Sequence, residues 1–475
     1  MVYAMQGTGQ SSPDASETTD SGELGKILGP LMQKFAGQGV IDRKYVPYEA
    51  GFGGAVPGGD APYSRSVTGG EEKMSEMVAA DAQRCPDMLI AALGYSQGAG
   101  GTRMMLNNIA EGSGPVDPDR VAMGTTFADP GRGEGAPVLP GAENQSNPEP
   151  PPGMDAPTVE AVDLEAAGDP PEGGGVGPQA DQSQDFGSMS GRVASWCDVG
   201  DLACDVPEGA PIARVMANLA GQSELNPDDP VGSLSTVADA LASTTIKTGT
   251  AMVNEDISGE SLTDLDYEPK KTISERMESA SDPRSEAGDA GAALQKLGTI
   301  GLNSMVAVAK KVITPQNIAE LATVGLASPQ AALGLLVGRV GEAVVDLAAP
   351  TVTRMSGKVI EVIEQEVEAN KELPAMVADV NYWKAAQAHG SYFNTPSTAT
   401  GSTAAEVTTQ WLTALAEDLG GTAGEATSGS SSAVATSTGA TAPSSPSSVL
   451  TVAPVPVGTS PSATSSAAAT SSSTQ

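Results

Sequence analysis

The sequence predicts an α/β fold built on a parallel sheet. Two observations predict it. First, short apolar runs alternate with helix-like segments through the first third of the chain, which is the pattern of βαβ units. Second, the apolar run 89–93 leads directly into Gly94-Tyr95-Ser96-Gln97-Gly98, and residues 102–109 then read as a helix. A serine between two glycines on a strand-to-helix turn is held on a sharp, strained bend, with its hydroxyl raised above the sheet.

Taken in order, Val2–Met5 is a short strand running into the glycine-rich polar turn 6–13. Residues 24–35 carry helical spacing through Leu24, Ile27, Leu28 and Leu31. Residues 45–48 read as a strand, 51–59 as flexible, and 75–84 as a helix leading to Cys85-Pro86-Asp87. Val121–Phe127 is the next strand and ends at Asp129-Pro130-Gly131. The alternation then breaks. Residues 133–184 are rich in Pro, Gly, Asp and Glu, and read as an irregular or disordered insertion. Residues 192–196 resume a strand and deliver the loop from Cys197 to Cys204.

A mostly helical section follows, with helices expected at 211–220, 231–254, 291–313, 315–326, 329–347 and 352–370. Several begin at or after a proline, which suits the first helical turn. The last expected helix, 404–419, sets Val407, Trp411, Leu412 and Leu415 on one face. From there the chain is almost uncharged Ser, Thr, Ala, Gly and Pro, the composition of a disordered tail. The expected organisation is therefore an α/β core from 1–205 with 382–420, a helical insertion or cap at 206–381, and a low-complexity tail at 421–475.

Composition narrows the partners. The 475 residues carry a formal charge of −34, which repels nucleic acid and disfavours purely electrostatic attachment to anionic lipid. Aromatic residues are only 3 %, so much of the length is not dense core. The longest uncharged apolar stretch, 321–338, is interrupted by Ser328-Pro329-Gln330 and does not read as a membrane span. Of the three cysteines, Cys197 and Cys204 have no further Cys or His nearby to complete a metal site. A small disulfide loop is the better reading, and it implies an oxidising compartment. Cys85 is then left over. With no signal peptide in view at Met1, the expectation is a natural chain that starts further upstream, with a secretion signal and a cysteine for Cys85.

The candidate chemistry is nucleophilic. Ser96 needs a base, an acid to orient that base, and donors for an oxyanion. The chain has one histidine, so the base must be His389. It follows the candidate acids, which gives the chain order Ser, acid, His of an α/β-hydrolase. Asp129 and Asp201 both lie on loops that follow strands and are candidate acids, and Asp198 shares the cysteine loop with Asp201. Closure of that loop would hold a carboxylate in place. The backbone N–H of Gln97 and the early turn at Gly7-Thr8-Gly9, with Thr8 offering N–H and hydroxyl, are candidate oxyanion donors. No Lys follows that turn in phosphate-loop spacing.

These residues resemble the cutinase family of serine esterases, in particular its actinobacterial and corynebacterial members. Gly94-Tyr95-Ser96-Gln97-Gly98-Ala99 is similar to the family's G-Y-S-Q-G-A elbow. The stretch Cys197-Asp198-Val199-Gly200-Asp201-Leu202-Ala203-Cys204 is similar to its C-x-x-G-D-x-x-C acid loop. Gly7-Thr8 and Ala388-His389-Gly390-Ser391-Tyr392 are similar to its oxyanion turn and histidine motif. The resemblance spans 1–134, 186–205 and 382–420. It implies a three-layer α/β-hydrolase sandwich with Ser96, Asp201 and His389 as triad and Thr8 and Gln97 as oxyanion donors. It also implies a secreted or envelope-located monomer that hydrolyses aliphatic or lipid acyl esters through an acyl-enzyme, without cofactor or metal, and with transient contact to envelope lipid. Acyl transfer to an alcohol, or a non-catalytic envelope-binding role on the same scaffold, are the alternatives. The chain departs from the family in the 133–184 segment and in the long separation of Asp201 from His389.

Overall fold

The computed structural model describes residues 1–56, 59–226, 229–258, 266–300, 352–378 and 385–429, with isolated positions between 314 and 339. Five strands, β1 (Val2–Met5), β2 (Arg43–Tyr45), β3 (Ile90–Tyr95), β4 (Val121–Phe127) and β5 (Val193–Trp196), form one sheet in the order β2-β1-β3-β4-β5. Every neighbouring pair is parallel, so each connection has to cross over the sheet. Helices α1 (Gly22–Lys34), α2 (Tyr63–Arg84) and α3 (Gln97–Ala110) make the first three crossings.

Strand side chains alternate between two buried faces. Val2, Ala4, Ala91, Leu93 and Tyr95 pack with Leu24, Ile27, Leu28 and Leu31 of α1 and with Val407, Trp411, Leu412 and Leu415 of the last helix, Ala404–Gly429. Tyr3, Met5, Ile90 and Ala92 pack with Met74, Met77 and Val78 of α2 and Met105, Leu106 and Ile109 of α3. A sheet covered on both faces explains why its strands read as continuous apolar runs. The result is a three-layer arrangement with the parallel sheet between two helical layers.

Several elements depart from the sequence-based expectation. The second strand lies at Arg43–Tyr45 rather than 45–48, because Pro47 has no N–H to give the ladder. The bond from Val46 N to Ala4 O (2.9 Å) is its last on that side. Helix α2 starts at Tyr63, ahead of residue 75. Gly70 sits mid-helix because the helix crosses β1 closely there, where an added Cβ would lie 2.1 Å from Met5 Cε.

The segment 133–184 is irregular but ordered. Its only helix among the described residues longer than one 3-10 turn is α4 (Pro157–Glu160). Leu139, Val159, Val162 and Leu164 are buried in the main core. Arg132, 1 % exposed, donates to the carbonyls of Ala136, Pro171, Gly173 and Cys204 and so gathers the segment around one guanidinium. The disordered alternative is corrected: a buried five-donor side chain supplies order that local composition does not encode.

The helical section contains α5 (Pro211–Gly221), α6 (Pro230–Glu255), α7 (Ile273–Ser281) and α8 (Ala290–Ile300), then helices Val352–Ala369 and Leu373–Ala378. Helix α7, and the two-residue antiparallel pair Ile257–Ser258 with Asp266–Tyr267, were not foreseen. Thr272 and Glu275 form a capping box at the start of α7. The helices expected over 301–313, 315–326 and 329–347 fall mostly outside the described residues. The last helix continues past 419 to Gly429, so 421–429 are helical rather than tail, and 430–475 lie outside the described residues. Met1–Glu425 form one compact unit, which holds everything below; Ala426–Gln475 form a second. Among the described residues no helix is long and apolar enough to cross a membrane.

Candidate active site

Ser96 stands between the end of β3 and the start of α3 with φ 54° and ψ −122°. That positive φ is strained for a non-glycine residue, and it turns the hydroxyl away from the sheet. Two contacts hold the bend. Ser96 N donates to Phe127 O of the neighbouring strand (2.8 Å), and Ala99 N donates back to Ser96 O (2.8 Å). Gly98 allows α3 to press against β1, since an added Cβ would lie 2.0 Å from Met5 O.

His389 reaches this serine from far along the chain. Its Nε2 lies 2.8 Å from Ser96 Oγ, and its Nδ1 lies 2.9 and 3.1 Å from the two oxygens of Asp201. With Asp201 ionised, Nδ1 carries the proton toward the carboxylate and Nε2 is left as acceptor for the serine hydroxyl. Asp201 is 1 % exposed, and it also accepts from Ala203 N (3.0 Å) and Tyr392 Oη (2.6 Å). The loop that carries it is closed by the Cys197–Cys204 disulfide.

The other acids are occupied elsewhere. Asp129 forms an ion pair with Arg103 in which both side chains are fully buried, and its Oδ1 accepts from Gly131 N. Asp198 accepts from Ser391 Oγ, and burial pushes its carboxyl up despite that bond. Of the three candidate acids, the structure brings only Asp201 to the histidine.

Thr8 and Ser96 line one cavity of about 590 Å³. The turn at Thr8 is shaped by Gln10 N to Gly7 O (3.0 Å) and Gly9 N to Ala50 O (2.8 Å). Gln97 opens α3, where backbone N–H groups have no intrahelical acceptor. Its fully buried side chain is already engaged: Nε2 donates to Gly51 O (3.0 Å) and Oε1 accepts from Ser66 Oγ (3.2 Å). Only its main-chain N–H remains for a ligand.

Two positioning groups escaped the sequence reading. Tyr95, inside the elbow motif, donates to His389 O (2.8 Å) and ties the histidine loop to β3. Tyr392 is fully buried, and burial beside Asp201 and Asp198 holds its phenol neutral, well above its ordinary range. It therefore stays a donor to Asp201. Its place in the histidine motif was the available signal; its partner was not legible. Cys85 is a free, exposed thiol. Among the described residues no group of three or more His, Cys, Asp or Glu side chains converges as a metal site.

A family model described as Cutinase matches residues 13–213. A cutinase of Coprinopsis cinerea is 32 % identical over 126 residues, which are 26 % of this chain and 58 % of that protein. A cutinase of Monilinia fructicola is 28 % identical over 136 residues, 28 % of this chain and 61 % of that protein. The chain thus spans about three-fifths of the length of the curated relatives it matches. The catalytic core domain of an acetyl xylan esterase from Trichoderma reesei aligns with a TM-score of 0.27 at 15 % identity, covering 50 % of this chain and 97 % of that one. Ser96 and the disulfide-closed loop that carries Asp201 both lie inside the residues that this family model matches.

Proposed function

We propose that the protein is a serine esterase that hydrolyses carboxylic esters through an acyl-enzyme. The observation that carries this reading is the hydrogen-bonded line Ser96 Oγ–His389–Asp201 at 2.8 and 2.9 Å. In the first half-reaction Ser96 Oγ attacks the acyl carbon while His389 Nε2 takes its proton. Asp201 holds the ring in that orientation and stabilises the imidazolium without taking the proton. The carbonyl oxygen becomes an oxyanion, to which the Gln97 N–H and Thr8 donate; one such donor contributes ~2.7–4 kcal/mol. The tetrahedral adduct collapses, the alcohol leaves with the proton from His389, and Ser96 is acylated. Water, deprotonated by His389, then attacks the acyl carbon and releases the acid and free Ser96.

Two features support a secreted or envelope location and a small-molecule or lipid ester as substrate: the disulfide, which suits an oxidising compartment, and the mainly apolar cavity at Ser96. The reading is tested with p-nitrophenyl butyrate. Wild type is expected to release nitrophenol, and Ser96→Ala to lose ~10⁴-fold or more of that rate with unchanged folding. A mutant as active as wild type overturns it.

A further inference from the structure

The cavity that Ser96 and Thr8 line is not closed by the α/β core alone. Ala217 and Gly221 of α5 line the same space. They stand four apart, so they share one face of the helix. Val215 and Leu219 instead pack away from the cavity with Ala240, Leu241 and Met277. The face toward the cavity thus carries two of the smallest side chains.

Tyr63 of α2 also lines the cavity and stands between α3 and α5. A Cβ added to Gly221 would lie 3.6 Å from Tyr63 Cδ1, and one added to Gly100 would lie 3.6 Å from Tyr63 Oη. Both are ordinary contact distances, so small side chains fit there and larger ones would occupy the space. Met104, Val67 and Val176 continue the apolar lining.

This wall is held at both ends. Near its start, Arg214 donates to Val206 O (2.9 Å), Gly175 O (3.2 Å) and Glu134 Oε1 (2.9 Å). Just past its end, Leu225 N donates to Gly53 O (2.5 Å), which ties the chain after α5 to the loop before α2. Asn218 Nδ2 donates to Ser281 Oγ (2.9 Å) on α7.

We propose that α5 of the helical section is the acyl-chain wall of the esterase site, with Ala217 and Gly221 as the residues that set how long an acyl chain it accepts. The inference rests on the esterase reading. An acyl chain bonded at Ser96 has an apolar path along Tyr63 toward α5, and each further methylene buried there is removed from water. The preferred substrates are then esters whose acyl part is long enough to reach α5, rather than acetyl esters.

The test compares kcat/KM for p-nitrophenyl acetate, butyrate, octanoate and palmitate in wild type, Gly221→Leu and Ala217→Met. Each substitution fills space that the longer chains use. The octanoate-to-acetate ratio is expected to be high in wild type and to fall ~10–100-fold in either variant. Two variants are used so that one poorly folding protein does not decide the outcome. A wild type that prefers acetate, or a ratio unmoved in a folded variant, overturns the inference while leaving the esterase reading intact. A wild type inactive on every ester overturns both.

Discussion

The α/β core and the helical section that walls its cavity are held together by different forces. In the core, two continuous apolar clusters sandwich the sheet, and side chains from Val2 to Leu415 contribute at near-zero exposure. In the helical section the buried apolar cluster among the described residues is small: Val215, Leu219 and Ala240, with Leu241 and Met277 alongside. Val231, Ile246, Leu294 and Val367 of that section are all more than half exposed. What fastens it is polar. Arg276 pairs with Glu255 and Asp256, and Arg214 with Glu134 and Glu278. Arg284 bridges Asp181 and Asp282, and Glu366 accepts from the backbone N–H groups of Ile273 and Ser274. Apolar packing does not titrate and is not screened, whereas ion pairs respond to pH and are weakened by electrostatic screening. The two regions should therefore fail under different conditions.

The contrast breaks most severely where the core contains a charge of its own. Arg103→Met leaves Asp129 fully buried without its partner. A loss of ~3–5 kcal/mol in unfolding free energy is expected by urea denaturation. A loss below ~1 kcal/mol would mean that the pair is not a structural pin.

A subtler effect lies at Glu278. Burial pushes its carboxyl up to about 7 from an ordinary 4.5, while Arg214 pulls it down. An acid whose folded pKa lies above its unfolded one binds more protons when folded. Its contribution is therefore most favourable below pH 4.5 and declines as pH rises toward about 7. The decline amounts to about 3 kcal/mol at most. In Glu278→Gln the wild-type fall in stability between mildly acidic and mildly alkaline buffer should flatten. Denaturation of both proteins at the two pH values measures it, and parallel pH curves would remove Glu278 as the cause.

The smallest effect is expected at Arg284, whose side chain is 41 % exposed. Arg284→Ala should cost ~1 kcal/mol or less, and the difference should shrink further in high salt. A salt-independent loss would show packing, not charge, to be what this arginine contributes.

Much of the core was legible in the sequence because its signals are local. Continuous apolar runs named β1, β3, β4 and β5, and the spacing of Leu24, Ile27, Leu28 and Leu31 named α1. Ser96, Asp201 and His389 each sat in a motif, and their side chains meet within hydrogen-bond reach. Elimination had to choose among Asp129, Asp198 and Asp201; geometry distinguishes them because Arg103 and Ser391 engage the first two. What stayed hidden depends on distant partners. The order in 133–184 comes from the carbonyls around Arg132, and the glycine inside α2 from the close crossing of Gly70 over Met5. The cavity wall on α5 belongs to the same class, since Ala217 and Gly221 read only as small helix residues until α5 is seen beside Tyr63.

The distance in sequence between Asp201 and His389, 188 positions, has a consequence for biosynthesis. The five-stranded sheet is complete at Trp196 and Ser96 is bent into place by β3, α3 and β4, all of them made early. In the proposed mechanism the proton acceptor is His389, which emerges from the ribosome only after the entire helical section. On the proposed mechanism, a chain that stalls or is clipped before residue 389 would carry the strained Ser96 turn without its base. On that mechanism, competence arrives as a late event of synthesis, once the residues after the helical section have been made.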